Sequence, residues 1–355
     1  MNWSVRVATL FGIPIRVHAT FLLLLAAGAW LWRGESFLDS LIGVGLVGVV
    51  FLCILLHELG HCLMARRYGV VVESITLLPI GGMAAMRSLP HSPGAEFLIA
   101  LAGPAVSFGL AGGLAGLAYV LHGPQIFSLA LDHHEAAPIL LLLATLNLFL
   151  GGFNLVPAFP LDGGRLLRAG LWSRIGFEKA TRLATRVGQV IAIILFVLAV
   201  LSSRFVLMII AVFVYFGAQA ESRAAGFKAV LANVPAFRVM LTNFVRARAD
   251  QPASVLRNLM IQAGQDVLPV YDDHTLLGLI SYDRLRSLDR SQTPEPLAAQ
   301  LLDRNVVFCS PIDSLASVLE AMTAQDLACI AVIDNDQLVG LITPRQIGRV
   351  GVSNS

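Results

Sequence analysis

Long apolar runs dominate the first two thirds of the chain and then stop. Six such runs cover residues 17–32, 41–65, 96–121, 138–156, 187–201 and 205–220. A membrane-spanning helix needs about 20 predominantly apolar residues. The pattern therefore predicts an α-helical polytopic membrane protein with about six transmembrane helices within residues 1–222.

Two segments of this region do not follow a helical pattern. Residues 3–16 alternate apolar and polar side chains, which predicts a short hairpin at the membrane surface. Val70–Met86 begins with β-branched residues and then contains Pro79 and the Gly81-Gly82 pair. Irregular backbone at membrane depth persists only where protein or a water-filled cavity covers it. We therefore expect a re-entrant β-hairpin here.

Basic residues predict the orientation of the helices. Arg66 and Arg67 follow the second run, and a basic stretch follows the fourth. Because Lys and Arg are enriched on the cytoplasmic side of membrane helices, these ends are predicted to be cytoplasmic. Six spans then place both termini in the cytoplasm. The basic stretch contains Arg165, Arg168, Arg174, Lys179, Arg182 and Arg186.

Composition supports a multi-pass protein of the cell membrane whose main partner is the lipid bilayer. The chain is 56% apolar and 14% charged, whereas soluble domains are about 25% charged. The net charge of +2 gives no indication of nucleic-acid binding. The four cysteines have no C-x-x-C spacing, so we expect small buried side chains rather than disulfides.

Charged residues return after about residue 227, and an internal repeat appears. Residues 267–285 and 328–347 each contain an apolar strand, an acidic turn, a second strand with a central glycine and a helix start. Such a repeat predicts two copies of one small α/β module. We assign residues 223–238 to a linker, 239–290 to the first copy and 297–352 to the second, all in the cytoplasm.

The second apolar run contains the first candidate for chemistry. Within Phe51–Tyr68, His57 and His61 are four residues apart and lie on one face of a helix, where they can bind one metal ion. Glu58 lies beside them and can act as a general base. Ionisable groups in membrane segments are costly and are functional by default.

A catalytic zinc site usually has three protein ligands and an open position for water. Asp162 is the best candidate for the third ligand, because Pro157 and Pro160 end the fourth run before it. Asn154 can hydrogen-bond the substrate backbone or a developing oxyanion. The alternative, that Asn154 only satisfies the backbone of a broken helix, stays open.

These motifs resemble the site-2 protease family of intramembrane zinc metalloproteases. They are H-E-x-x-H in an apolar run, a glycine-rich segment after it, A-G-P at 102–104 and N-x-x-P-x-x-P-x-D-G-G at 154–164. The resemblance implies that one Zn²⁺ is bound by His57, His61 and Asp162, and that Glu58 activates water. The chain has Ser107 where the family pattern A-G-P-x-x-N commonly has asparagine, which could alter helix packing.

The repeat resembles a tandem CBS-domain pair, which implies regulation, an adenine nucleotide ligand and a possible homodimer. In that family a Ser or Thr is followed three residues later by an aspartate that contacts ribose. Here Ser281 is followed by Arg284, and Thr343 by Gln346. Neither copy has the carboxylate in register, so nucleotide binding is doubtful.

The combined resemblance implies a prokaryotic inner- or plasma-membrane endopeptidase that cleaves a membrane-associated protein near the cytoplasmic face. Bacterial members of the family process anti-sigma factors, pro-sigma factors and signal-peptide remnants. Two alternatives belong to other classes of protein: a CBS-gated transporter or channel, and a proteolytically inactive scaffold. The spans show no inverted repeat of the transporter kind, and no core catalytic residue is missing from the sequence.

Overall fold

A computed structural model describes residues 3–33, 37–79, 81–86, 92–123, 139–273, 275–288 and 294–352. The chain divides into two compact units, Met1–Ala225 and Gly226–Ser355. Residues 124–138, which include most of the segment between the third and fourth apolar runs and residue 138 of the fourth run, lie outside the described residues.

The first unit is mainly helical, as the apolar runs predict. Among the described residues, four helices are long and apolar enough to cross a membrane, whereas α1 and α4 are apolar but have only 11 and 16 residues. The count of six spans therefore stays a prediction. The helices are α1 (Phe21–Leu31), α2 (Phe37–Arg67), α3 (Pro93–His122), α4 (Ile139–Asn154), α5 (Asp162–Ile175), α6 (Phe177–Leu201) and α7 (Phe205–Ala232).

Large apolar side chains on these helices are exposed. Examples are Phe149 on α4, Val197 on α6 and Phe213 on α7, which are 68%, 50% and 49% exposed. A water-soluble protein rarely leaves extended apolar surfaces uncovered. These surfaces suit the hydrocarbon of a bilayer, so this unit has the character of a membrane domain.

The first helix begins later than its apolar run. The run was predicted to form a span from residue 17, but Val17 and His18 belong to strand β2 (Ile13–His18), and α1 begins at Phe21. The cause is pairing: β2 is hydrogen-bonded to strands on both sides, which holds these residues extended. Apolar character alone does not distinguish the end of such a strand from the start of a helix.

Other helix ends also differ from the predicted runs. Helix α4 ends at Asn154, and residues 155–161 form turns that contain Pro157 and Pro160. Proline cannot continue a helix without losing a backbone hydrogen bond. Helix α6 begins at Phe177, ten residues before its apolar run. Helix α7 continues to Ala232, so part of the predicted linker is helical.

Antiparallel hairpins lie at both predicted positions and join into one four-stranded sheet, whereas the re-entrant position of the second hairpin in the membrane stays a prediction. The order of the sheet is β1 (Ser4–Leu10), β2, β3 (Val72–Leu78) and β4 (Gly81–Met86). The β1–β2 and β3–β4 pairs are antiparallel, and β2–β3 is parallel. Among the described strands, β4 has a neighbour on one side only. Ile15 and Ile75 pack with Leu55 and Leu59 of α2, which places the sheet against the helix that carries the histidines.

The second unit contains two three-stranded sheets, one for each repeat. Their orders are β5-β6-β7 and β10-β9-β8, and in each the hairpin is antiparallel and the short strand is parallel to its neighbour. The strands are β5 (Ala247–Arg248), β6 (Val267–Asp272), β7 (Thr275–Ser281), β8 (Phe308–Cys309), β9 (Ile330–Asp334) and β10 (Gln337–Ile342). The helices are α8 (Ala253–Ala263), α9 (Tyr282–Arg286), α10 (Ala298–Leu301), α11 (Leu315–Gln325) and α12 (Pro344–Val352), with a 3-10 turn at Ala236–Arg238.

The two repeats exchange their leading segments. Leu231 and Ala236 precede the first repeat in sequence, but both are fully buried in the core of the second repeat, with Leu315. The Leu241 amide donates to the Leu341 carbonyl at 2.8 Å. The segment 223–238 therefore does not act as a free linker throughout.

The reverse exchange also occurs. The Asp303 amide, at the start of the second repeat, donates to the Leu279 carbonyl of the first repeat at 2.8 Å, and Leu279 N–H donates back to Asp303 at 3.0 Å. The sequence boundaries at 239–290 and 297–352 therefore divide segments that pack together.

The cysteines are free thiols. In the second unit, burial raises the pKa of Cys329 to about 12 and that of Cys309 to about 11. Reactive cysteines have a lowered pKa. These two are therefore neutral thiols at pH 7, in keeping with the expectation of small packing side chains.

The exchange predicts that Leu231→Ala destabilises the second unit. Removing a fully buried leucine side chain costs about 2–5 kcal/mol. The effect is measured on the purified full chain as the temperature at which the second unit unfolds. Unfolding is detected as protease cleavage between residues 233 and 352. Val230→Ala is the matched control, because Val230 is 37% exposed on the same helix. Equal behaviour of the two variants would contradict burial of Leu231 in this core.

Candidate metal centre and active site

Two histidines of α2 and one aspartate of α5 meet in a buried cluster. His57, His61 and Asp162 are 3%, 6% and 9% exposed. The two Nε2 atoms are 3.2 Å apart, and Asp162 Oδ2 lies 3.2 Å from His57 Nε2 and 3.1 Å from His61 Nε2. Within the described residues these three side chains form a group that could hold a metal ion.

Hydrogen bonds on the far side of each imidazole favour one tautomer. His61 Nδ1–H donates to the Ile99 carbonyl at 2.7 Å, and a carbonyl can only accept. His57 Nδ1 is 2.9 Å from Ser107 Oγ, to which it can donate in the same way. With Nδ1 protonated, neutral histidine presents an Nε2 lone pair. Two lone pairs and a carboxylate oxygen then face one another, and a cation relieves their repulsion.

The spacing of the three atoms suits zinc. Tetrahedral Zn²⁺ with bonds of 2.0–2.2 Å to nitrogen and oxygen places neighbouring ligand atoms about 3.3 Å apart. The observed separations are 3.1–3.2 Å. Three protein ligands of the His₂-carboxylate type leave one position for water, as catalytic zinc sites require. The donor set, its spacing and its tautomers therefore all fit this metal.

Helix α3 supports both imidazoles from one face. Ile99, Gly103 and Ser107 are spaced by four residues and lie on one side of the helix. A Cβ atom at Gly103 would overlap Nε2 of His61 and lie 2.7 Å from Nε2 of His57. The A-G-P motif therefore keeps space for the histidine rings. Gly103 was recognised in the sequence as part of a motif, but its contact with the histidine rings was not predicted.

Ser107 is the residue whose role the sequence missed. The resemblance marked it as a departure that could alter helix packing. The structure places its fully buried hydroxyl against His57 Nδ1. Such a contact fixes the ring orientation and tautomer of a metal-binding histidine. The side chains of asparagine and serine can both accept this hydrogen bond. The polar residue that they share at this position was the signal in the sequence for this role.

A buried turn directly precedes Asp162 and determines its position. Residues 155–161 connect α4 to α5, and Ala158 and Phe159 within them are fully buried. The Leu161 amide donates to the Ala158 carbonyl at 2.9 Å, which closes the turn just before Asp162. Asp162 is the first residue of α5. The two prolines therefore end α4 at the depth where the histidines lie.

Strand β4 runs directly past Glu58. Glu58 is half-buried on α2, one residue from His57. A Cβ atom at Gly82 would overlap Glu58 Cγ and lie 3.3 Å from Glu58 Oε1. Only glycine allows the strand to approach this closely. The candidate base is therefore next to a strand that has one unpaired side among the described strands.

Asn154 makes a local contact. Its side-chain nitrogen donates to the Leu150 carbonyl at 3.0 Å, one turn earlier in α4. This is the bond expected of an asparagine that satisfies helix backbone. Its role toward substrate stays a prediction.

Family models match both parts of the chain. The model of peptidase family M50 matches residues 45–137 and 125–195, and the CBS-domain model matches residues 236–290 and 298–350. These matches agree with the two resemblances drawn from the sequence.

Known proteins extend the match to nearly the whole chain. A zinc metalloprotease of Methanocaldococcus jannaschii is 34% identical over 350 residues, which cover 98% of this chain and 96% of the relative. Stage IV sporulation protein FB of Bacillus subtilis is 31% identical over 135 residues, 38% of this chain and 43% of that protein. A solved site-2 protease from M. jannaschii is 40% identical, covers 62% of this chain and 96% of that chain, and has a TM-score of 0.45.

The likeness to the archaeal relative includes both units and is too extensive for a shared motif alone. It confirms the resemblance to the site-2 proteases and the expectation of a zinc enzyme. This chain belongs to peptidase family M50, as a zinc metalloendopeptidase of the site-2 protease type with a C-terminal CBS-domain pair.

Proposed function

We propose that this enzyme cleaves a membrane-associated protein near the cytoplasmic face of the cell membrane. His57, His61 and Asp162 hold the zinc, and Glu58 is the general base. The observation that carries the proposal is the convergence of two Nε2 atoms and one carboxylate oxygen beside Glu58 and β4. No observation favours a transporter or an inactive scaffold.

The chemistry is hydrolysis of a peptide bond. Zinc bound by these residues would act as a Lewis acid that polarises the carbonyl and lowers the pKa of a bound water to about 7. The Glu58 carboxylate accepts the proton of the attacking water and delivers it to the leaving nitrogen. Ile99 and Ser107 hold the imidazoles in the tautomer that leaves Nε2 free.

Strand β4 supplies the substrate edge. The carbonyl groups of a helical substrate are engaged in hydrogen bonds within the helix, so the substrate must be extended before attack. An extended segment can add to an open strand edge through main-chain hydrogen bonds. The contact of Gly82 with Glu58 supports β4 as this edge, since a strand paired there passes next to the base. The β3–β4 hairpin then acts as the re-entrant hairpin.

The proposed topology has six spans with both termini and the CBS pair in the cytoplasm. The two shorter helices, α1 and α4, are counted as spans together with the four longer ones. Because α2 ends with Arg66 and Arg67, its end is proposed to lie on the cytoplasmic side. The basic residues of α5 and the start of α6 lie on the same side. This places Asp162 and the histidines near the cytoplasmic surface of a prokaryotic membrane.

The CBS pair is proposed to regulate cleavage in response to a soluble signal. A cavity of about 180 Å³ is lined by residues of both repeats, including Gln265, Asp266, Thr343, Arg345 and Arg349. Two arginines suit an anionic ligand, an adenine nucleotide among the candidates. The usual ribose contact is missing, because Gln346 Oε1 instead accepts from the Thr343 amide at 3.0 Å.

Candidates for the substrate and for the oligomeric state follow from the family resemblance. Anti-sigma factors, pro-sigma factors and signal-peptide remnants are the candidate substrates, and a homodimer through the CBS pair is the candidate assembly. Comparing membrane proteomes of cells with active enzyme and with Glu58→Gln identifies the substrate as the protein that accumulates uncut. Cross-linking of the full chain in its membrane tests the dimer.

Glu58→Gln is expected to abolish cleavage and leave zinc bound. The amide keeps the size of the side chain but cannot accept the proton, and general acid–base catalysis contributes about 10²–10⁴-fold. Cleavage of a co-expressed membrane reporter and the zinc content of the purified variant are the two measurements. Undiminished cleavage would exclude Glu58 as the base.

Gly82→Ala is expected to reduce cleavage by about 10²-fold, because a displacement of about 1 Å at an active site has effects of this size. The new methyl group overlaps Glu58 Cγ and forces the strand and the base apart. Zinc content should be unchanged, since none of the three ligands is touched. Glu73→Gln in the adjacent strand is the control and should have a much smaller effect. An equal loss in both variants would speak against the main-chain edge at β4.

Deletion of residues 233–355 is expected to change the cleavage rate or the abundance of the enzyme and to remove any response to a soluble ligand. This deletion keeps α7 whole. Reporter cleavage, normalised to the amount of enzyme in the membrane, separates the two effects. If rate, abundance and ligand response all match the full chain, the regulatory role of the CBS pair is wrong.

A further inference from the structure

A buried cluster of charges lies outside the protease motifs. Arg168 on α5 has a side chain that is 2% exposed. Its Nε donates to Glu96 Oε1 of α3 at 2.8 Å, its Nη2 contacts the same oxygen, and its Nη1 donates to Glu221 Oε1 of α7 at 2.6 Å. The guanidinium carbon also lies 5.0 Å from the ring centre of Phe159 and 4.9 Å from that of Phe177. Arginine is almost never so completely buried without a specific partner.

Two partners of Arg168, Glu96 and Phe159, belong to elements that build the metal centre. Glu96 lies on the same face of α3 as Ile99 and Gly103, which contact the histidines. Phe159 belongs to the buried turn that precedes Asp162. Arg168 therefore connects the support of the two histidines to the helix and turn that carry the third ligand.

We infer that Arg168 is a positioning residue of the metal centre, which holds Asp162 of α5 in register with the histidines through its bonds to Glu96 of α3. Histidines and aspartate come from sequence positions more than a hundred residues apart. Their mutual distance depends on how α5 is seated against α3. The fork of the guanidinium fixes this seating in direction as well as distance.

The pair is poorly arranged for stability alone. Both bonds to Glu96 go to Oε1, and Oε2 is buried without a hydrogen-bond partner among the described residues. An unsatisfied buried acceptor costs about 1–3 kcal/mol. Replacing a buried ion pair by apolar side chains is often neutral or stabilising. Compared with apolar packing, the charged pair therefore contributes a defined geometry between α3 and α5.

The two glutamates should contribute unequally. The Glu96 side chain is 4% exposed, whereas that of Glu221 is 29% exposed and can be replaced in part by water. The inference therefore predicts that Glu96→Gln weakens zinc binding more than Glu221→Gln.

The test measures metal binding, because affinity can be read without substrate. The full chain is purified in detergent, and zinc affinity is determined by competition with a chromophoric chelator. Arg168→Lys keeps the charge but loses the fork and is expected to lower zinc affinity about 10-fold or more, as loss of supporting contacts around metal ligands does. The visible absorption of the Co²⁺-substituted protein should also change, since it reports ligand geometry. Arg182→Lys is the control, because Arg182 forms an exposed ion pair with Glu178 at 3.3 Å.

A double variant separates positioning from folding. Glu96→Met with Arg168→Met removes the pair and keeps apolar packing. Its thermal transition without metal should stay near that of the parent, while its zinc affinity should remain reduced. A double variant that recovers full zinc affinity overturns the inference, and so does unchanged zinc affinity in both Arg168→Lys and Glu96→Gln. If Arg168→Lys does not fold, the zinc affinities of Glu96→Gln and of the double variant still test the inference.

The inference rests on the proposed ligand assignment, and Asp162→Asn tests that assignment separately. Loss of zinc affinity in Asp162→Asn, with full affinity in the Arg168 and Glu96 variants, rejects the positioning role and keeps the proposed function. Full affinity in Asp162→Asn rejects the ligand assignment and the positioning role with it. Loss in all of them supports both.

Discussion

The Nε2 atoms of His57 and His61 and the Oδ2 atom of Asp162 lie within 3.2 Å of one another, and all three are electron-rich. The bond from His61 to the Ile99 carbonyl, and the contact of His57 with Ser107, direct the ring protons away from this point. In a buried setting such a cluster is unfavourable until a cation binds. The rest of the membrane unit can be understood as the framework that brings these atoms together and keeps them there.

That framework is organised around α3. One face of this helix supports both imidazoles and, through Glu96, receives the helix that carries Asp162. The sheet performs a second task, since it packs on α2 and brings β4 against Glu58. In the proposed mechanism, metal binding and substrate presentation thus use different neighbours of α2.

Much of the metal centre could be predicted from the sequence, because it depends on local features of the chain. His57 and His61 are neighbours because of helical spacing. The prolines before Asp162 end α4 irrespective of the elements against which that helix packs. The contacts of Ser107, Gly103 and Arg168 depend on which face of one helix meets another, and a single sequence does not specify that. The start of α1 was placed too early for the same reason, because strand pairing of Val17 is a tertiary effect that hydropathy does not report.

The exchange of leading segments in the second unit has a consequence for synthesis. Leu231 and Ala236 leave the ribosome early, but the core that buries them includes Leu315 and Ile342. The first repeat likewise awaits Asp303 to complete the pairing at Leu279. The second repeat therefore cannot complete its core until residues as late as Ile342 have been made, so Leu231, in the last turn of α7, is buried late in synthesis. Until then the side chain of Leu231 stays outside the core that buries it in the folded protein.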